Sequence, residues 1–323
     1  MSLVDIRDLT VTYDARRAAV PAVRGVTLSV QAGASLGIAG ESGCGKSSVA
    51  LAMLRLLPAT AAVGGHILLD GDDIATMSFG KLRAVRWSRA SIVFQGAMHA
   101  LNPVRAIGGQ IAEPIRVHDP ATTRADALTR ARELLRQVGL PAWRADSYPH
   151  ELSGGQRQRV MVAMALACRP RLIIADEATT ALDVMIQAQV LDLVSDVIAR
   201  QGIALIMISH DLSILASTCD ELAVMYAGRV VEHGPTAKVV AHGAHPYTRG
   251  LARAFPTVGD PASRGRPRGV PGDAPSPLRL PDGCAFRPRC PIAIDDCAHG
   301  DIPLQAVAEG RRAACLRAGE ETP

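Results

Sequence analysis

Aromatic side chains are scarce: four Phe, two Trp and four Tyr make up 3% of 323 residues. So few flat rings argue against a surface that stacks bases. Charge of one sign is also lacking. A formal net charge of +4 is too small to point to nucleic acid by itself. Long apolar runs are missing as well. Stretches such as residues 202–208 are strand-sized, far below the roughly 20 residues that a membrane span needs. The opening residues Met1–Asp5 do not read as a signal peptide. The expectation is a cytosolic protein, with any membrane contact made through partners. No C-x2-C pair occurs among the seven cysteines, which excludes an ordinary zinc ribbon. Against these absences, 48% hydrophobic and 20% charged residues fit a globular chain with one large or two smaller domains.

The most informative stretch is Gly40-Glu41-Ser42-Gly43-Cys44-Gly45-Lys46-Ser47-Ser48, a G-x-x-x-x-G-K-S pattern with one further Ser. Ser35–Ala39 before it reads as a buried strand, and Val49–Leu54 after it as a helix. That context turns the pattern into a phosphate cradle. Glycines let successive N–H groups turn inward, and the helix N-terminus adds partial positive charge. Lys46 can reach the β- and γ-phosphates, and the Ser47 hydroxyl can ligate Mg²⁺.

Upstream, Val4–Val11 and Val26–Val30 alternate as short strands, with turns read at Gly25 and at Gln31–Gly33. Tyr13 lies just past the first of these; it either stacks on adenine or is a half-buried strand-end residue. Gly64–Gly71 reads as a strand with turns at both ends, and Ser91–Gln95 as another strand. Gln95 can offer its amide oxygen to Mg²⁺ or water, though alone it reads as a polar loop residue. Residues 104–168 turn helical, with Ala125, Leu128, Ala131, Leu134 and Leu135 at helical spacing. Ser153, Gly154, Gly155 and Gln156 open a further helix there. They are a second anion-ready terminus or a plain N-cap.

Arg171–Glu177 is an apolar strand ending in two acids. Asp176 suits the Mg²⁺ shell, and Glu177 can polarise water. His210 follows the next strand, and ligands gather at the C-terminal ends of parallel strands. Residues 222–226 and 229–232 form a hairpin about Ala227-Gly228. From Phe255 on, Pro, Gly and Arg dominate, and residues 256–291 read as an extended tail wrapping the surface.

Taken in order, Tyr13, Gly40–Ser48, Gln95, Leu152–Gln156, Leu172–Glu177, Asp183 and His210 resemble the nucleotide-binding subunit of an ABC transporter. Tyr148–Glu151, His245–Gly250 and Gly283–Pro291 are similar to its oligopeptide/dipeptide importer branch, which includes nickel and glutathione importers. The resemblance implies an α/β P-loop NTPase cassette over residues 1–255: a RecA-like core, an N-terminal antiparallel β subdomain and an inserted helical subdomain at 104–168. Residues 256–323 would be an irregular cysteine-bearing extension.

The resemblance further implies that Tyr13, Gly40, Ser42, Gly43, Cys44, Gly45, Lys46, Ser47 and Ser48 bind ATP. Mg²⁺ would be held through Ser47, Gln95 and Asp176. Glu177 would be the general base and His210 the γ-phosphate sensor. Ser153, Gly154, Gly155 and Gln156 would close on the ATP of a second subunit, with Asp183 at the interface. Gln95 and its loop would meet one of two integral membrane permease subunits. The second ATPase is expected to be a different chain, an extracytoplasmic binding protein completes the assembly, and this chain is expected on the cytoplasmic face of the membrane, held through the permeases. Two positions depart from the branch: Ala178 where Pro is usual, and Gln156 where Met is frequent. Soluble ABC-type ATPases carry long coiled-coil insertions or tandem cassettes, and neither is present.

Cys284, Cys290, Cys297 and Cys315 are spaced C-x5-C-x6-C-x17-C. The spacing suggests a four-thiolate metal site, leaving zinc and iron–sulfur open. The importer-branch resemblance implies a 4Fe–4S cluster, with a structural role.

Overall fold

The computed structural model describes residues 2–15, 18–94, 100–177, 184–254 and 269–320. In chain order, β1 (Ser2–Ala15), β2 (Ala18–Gln31) and β3 (Ser35–Ala39) lead into α1 (Lys46–Met53). Then come β4 (Ala61–Leu69), β5 (Asp72–Asp73), α2 (Phe79–Val85) and β6 (Ala90–Val93). The helical stretch holds α3 (Ile107–His118), α4 (Arg124–Gln137) and α5 (Gly154–Ala165). After it follow β7 (Leu172–Asp176), α6 (Val184–Gln201), β8 (Ala204–Ser209) and α7 (Leu212–Thr218). β9 (Glu221–Tyr226), β10 (Arg229–Pro235), α8 (Thr236–Ala241) and α9 (Pro246–Ala254) precede the tail, which carries β11 (Gln305–Ala308) and β12 (Arg311–Ala313). The chain divides into two compact units. One holds Met1–Val30, Ser35–Thr76 and Met207–Pro323; the other holds Gln31–Ala34 and Met77–Ile206.

In the first unit, one sheet has the order β2-β1-β4-β5, with β4 antiparallel to both of its neighbours. The turns expected at Gly25 and Gly64–Gly65 are not turns. β1 and β2 each run for 14 residues, and β2 passes through Gly25. Asp8 at φ 47°, Gly25 at 77° and Gly65 at 82° make a bulge, where the β1–β4 register shifts between Arg7 and Thr10. A Cβ on Gly65 would come within 2.3 Å of the Asp8 carbonyl oxygen. A left-handed residue inside a ladder bends it without ending it.

The other sheet of this unit has β11-β12-β10-β9-β3 in order, with β3 parallel to β9 and the rest antiparallel. Ala227 and Gly228, at φ 47° and 82°, make the two-residue hairpin turn read from sequence. The extension expected to be irregular over 256–323 is not wholly so: beyond the stretch read as wrapping the surface, its own hairpin adds two strands beside β10. Phe286 is also buried, against Tyr226, Tyr247 and His245.

In the second unit, β6 and β7 pair in parallel from Ala90↔Leu172 to Val93↔Ala175. All five residues of β7 are buried, as a strand covered on both faces requires. Thr123 caps α4 by accepting the Asp126 N–H. Its inward face is Ala127, Ala131, Leu134 and Leu135, so Ala127 takes the place expected for Ala125, and Leu128 is only half-buried. Gln110 of α3, 5% exposed, ties the loop before it by accepting the Asn102 N–H and donating to the Asn102 and Arg105 carbonyls.

Candidate functional site

The phosphate-cradle residues lie in the first unit. β3 ends at Ala39, and α1 begins at Lys46, three residues before the helix start read from sequence. Gly40, Gly43 and Gly45 have φ of 151°, 80° and 104°. A Cβ on Gly40 would fall 2.3 Å from the Met225 carbonyl oxygen, and one on Gly45 2.3 Å from that of Ala22. The glycines therefore do two things: they turn the loop, and they let it seat on β9 and β2. Cys44 is buried in this seat; its carbonyl accepts the Gly228 N–H, and burial pushes its thiol up. Lys46 is 4% exposed, and its ammonium donates to the carbonyls of Gly40 (2.7 Å) and Glu41 (3.0 Å). The charge is thus held on the loop itself. Tyr13 is half-buried within β1, and its hydroxyl lies 3.0 Å from Ser48 Oγ. His210 is exposed at the end of β8, and Asp211 caps α7 by accepting the Ser213 N–H at 2.8 Å.

The second unit carries the other candidate residues. Ser153 caps α5: its hydroxyl accepts the Gln156 N–H (3.3 Å), while Gln156 Oε1 accepts the Ser153 N–H (3.1 Å). This reciprocal box was legible in the Ser-x-x-Gln spacing. It shows that Gln156 shapes the terminus that Ser153 exposes. Tyr148–Glu151 makes half of the device just before it: Glu151 accepts the Tyr148 N–H at 2.6 Å, while the Glu151 N–H donates to the Tyr148 carbonyl. Arg157 donates to the Pro149 and Leu152 carbonyls and braces the link between them. Asp176 is buried at the tip of β7. Glu177 is half-buried at φ 44°, a left-handed geometry that costs a non-glycine residue about 1 kcal/mol or more. Gln95, Ala178 and Asp183 lie outside the described residues.

Three features of the first unit were not anticipated. Arg289 forms a two-pronged ion pair with Glu41, at 2.7 and 2.9 Å. The Glu41 N–H donates to Tyr247 Oη at 2.9 Å. Glu232, with no exposure, accepts from the N–H groups of Ala244 and His245 and from Arg311. Sequence carries no signal for pairs such as Glu41 and Arg289, which lie 248 positions apart.

Among the described residues, no group of three His, Cys, Asp or Glu that could hold a metal ion is drawn together. The four thiols nevertheless share one neighbourhood. Cys284 N–H donates to the Cys297 carbonyl, and the field of Cys284, Cys290 and Cys297 acts on Cys315. Burial is the main reason that Cys315 is pushed up to about 11 and that Cys284 and Cys290 are raised. The buried Nε and Nη2 of Arg249 have no hydrogen-bond acceptor among the described residues.

Residues 23–180 match the ABC transporter family, and residues 231–297 match the oligopeptide/dipeptide transporter C-terminal region. The chain is 46% identical to the "Probable peptide ABC transporter ATP-binding protein y4tR" of Sinorhizobium fredii, covering 98% of this chain and 96% of that one. It is 41% identical to the oligopeptide transport ATP-binding protein OppD of Salmonella typhimurium, over 99% and 95%. Against OppD of Escherichia coli the identity is 42%, over 99% and 94%. A solved dimeric bacterial ABC transporter cassette, MJ0796, aligns with a TM-score of 0.65 and 26% identity, covering 72% of this chain and 98% of that one. The same protein, as a dimer in a post-hydrolysis state with ADP and Pi, aligns equally well.

Proposed function

Because this chain belongs to the ABC transporter family of ATP-binding subunits, with the oligopeptide/dipeptide C-terminal region, we propose that it hydrolyses ATP to energise peptide import. The observation that carries the substrate class is end-to-end likeness to peptide importer ATPases, with the late region included. Its partners are two membrane permeases, a second ATP-binding subunit of different sequence and an extracytoplasmic binding protein. The chain sits on the cytoplasmic face of the membrane, held there by the permeases.

In this reading Gly40–Ser48 grips the phosphates of ATP and Tyr13 lies under adenine. Ser47, Asp176 and Gln95 supply hard oxygen donors of the kind that suits Mg²⁺, which when bound neutralises phosphate charge. Water attacks the γ-phosphorus, Glu177 takes its proton, and the bond to the β–γ bridging oxygen breaks to leave ADP and phosphate. His210 steadies the γ-phosphate. Ser153–Gly155 meets the ATP of the other subunit, so nucleotide completes an interface and hydrolysis dissolves it. The loop at Gln95 and the contact at Asp183 relay that change. The test is uptake by vesicles carrying the chain with its permeases and binding protein. We expect ATP-dependent entry of labelled oligopeptide. Entry of nickel or glutathione alone would move the substrate, and purification with ribosomes in place of permeases would overturn transport.

For the late cysteines, the same reading assigns a 4Fe–4S cluster to Cys284, Cys290, Cys297 and Cys315. The reading rests on the importer-branch resemblance and on the four thiols lying in one neighbourhood. The orphaned Arg249 donors also suit an anionic, sulfur-rich acceptor. When bound, the cluster would supply cross-linking to a tail with a small core. Anaerobic preparations are expected to hold about four irons per chain, and stoichiometric zinc without iron would refute the assignment.

A further inference from the structure

The cysteine-bearing extension reaches the phosphate-binding loop through one side chain. Arg289 is the last residue of a short 3-10 turn, Arg287–Arg289, which ends against Cys290. Its guanidinium is 6% exposed, and every nitrogen is engaged. Nη1 donates to Glu41 and to Tyr226 Oη, Nη2 to Glu41 and the Val270 carbonyl, and Nε to the Pro271 carbonyl. The hydrogen bonds it donates to Glu41 hold this guanidinium above its ordinary range. Phe286, from the same stretch between Cys284 and Cys290, is 2% exposed within the ring cluster of Tyr226, Tyr247 and His245. One short segment thus enters the unit at two points, an aromatic plug and a charged fork.

Glu41 is correspondingly over-determined. Its carboxylate takes both prongs of Arg289, its N–H is given to Tyr247, and its carbonyl accepts Lys46 Nζ. It is the second residue of the loop and shares the Lys46 ammonium with Gly40. Charge-assisted two-pronged pairs fix orientation as well as energy. A change in where Arg289 stands must therefore act on the backbone that frames the phosphates.

We propose that Arg289 is a positioning residue for the phosphate-binding loop, and that the Cys284–Cys290 segment tunes nucleotide affinity through the Arg289–Glu41 pair. The proposal rests on the reading of Gly40–Ser48 as the nucleotide site. Coupling between two sites is reciprocal. If the segment steadies the loop, a bound nucleotide steadies the segment. The amides of Cys284, Arg287, Arg289 and Cys290 are hydrogen-bonded within or beside this segment, so their exchange reports on it.

The test is hydrogen exchange of the full chain, with and without a non-hydrolysable ATP analogue and Mg²⁺, together with analogue affinity. In the wild type, exchange over residues 284–290 is expected to slow several-fold on nucleotide binding. Arg289→Gln and Glu41→Gln should each weaken the analogue roughly tenfold, the double variant no further, and all three should lose the response at 284–290. Arg289→Lys should restore only part, because an ammonium cannot make both prongs. Wild-type exchange at 284–290 that ignores bound nucleotide would refute the proposal whether or not the variants fold. Folded variants with wild-type affinity would refute it too. No binding of the analogue to wild type would instead refute the nucleotide site on which the proposal rests.

Discussion

Glu177→Gln is expected to lower ATP turnover by roughly 100-fold or more while nucleotide affinity holds within a few-fold. The exchange keeps shape and removes only the proton acceptor. Its neighbour Asp176, buried at the tip of β7, is untouched, so loss of metal binding does not complicate the result. Single-turnover phosphate release and equilibrium binding separate the two effects. Hydrolysis near the wild-type rate would remove Glu177 as the base.

Ser153→Asp is the second large effect, and the reciprocal cap makes it clean. Aspartate caps a helix as well as serine does, so α5 should keep its start and the melting temperature should barely move. The substitution instead places a negative charge on the exposed terminus that would meet the partner's γ-phosphate. Two like charges at about 4 Å repel by about 4 kcal/mol at an effective dielectric of about 20. ATP-driven pairing and turnover should fall 100-fold or more, while each chain still binds ATP by its own Gly40–Ser48 loop. Ser153→Ala gives the opposite pattern: about 1 kcal/mol of stability lost and a smaller loss of rate. Unchanged turnover in a folded Ser153→Asp protein would separate this segment from the second nucleotide.

Much of this was legible because the relevant signals are local. The apolar run Leu172–Ala175 ending in acid, the glycine loop between β3 and α1 and the Ala227-Gly228 turn each carry their geometry within ten residues. Gly25 and Gly65 misled because glycine at positive φ serves turns and bulges alike. Only the partner strand tells them apart. The buried face of α4 was displaced because alanines at 125 and 127 look alike in a pattern. The fork from Arg289 to Glu41 could not be read, since nothing in either neighbourhood names the other. The strands of the tail were hidden by length: β12 has three residues, too few to show a pattern, and is held between β11 and β10.

That last pairing has a price for anyone who trims the chain. With β12 gone, the outer rail of β10 would present bare N–H and C=O groups flanked by Val230 and Val231, an invitation to intermolecular strand addition. Glu232 would meanwhile be stranded in the interior without the Arg311 counter-ion. A cassette cut back to residue 255 should therefore come out of solution as aggregates, however intact its catalytic motifs.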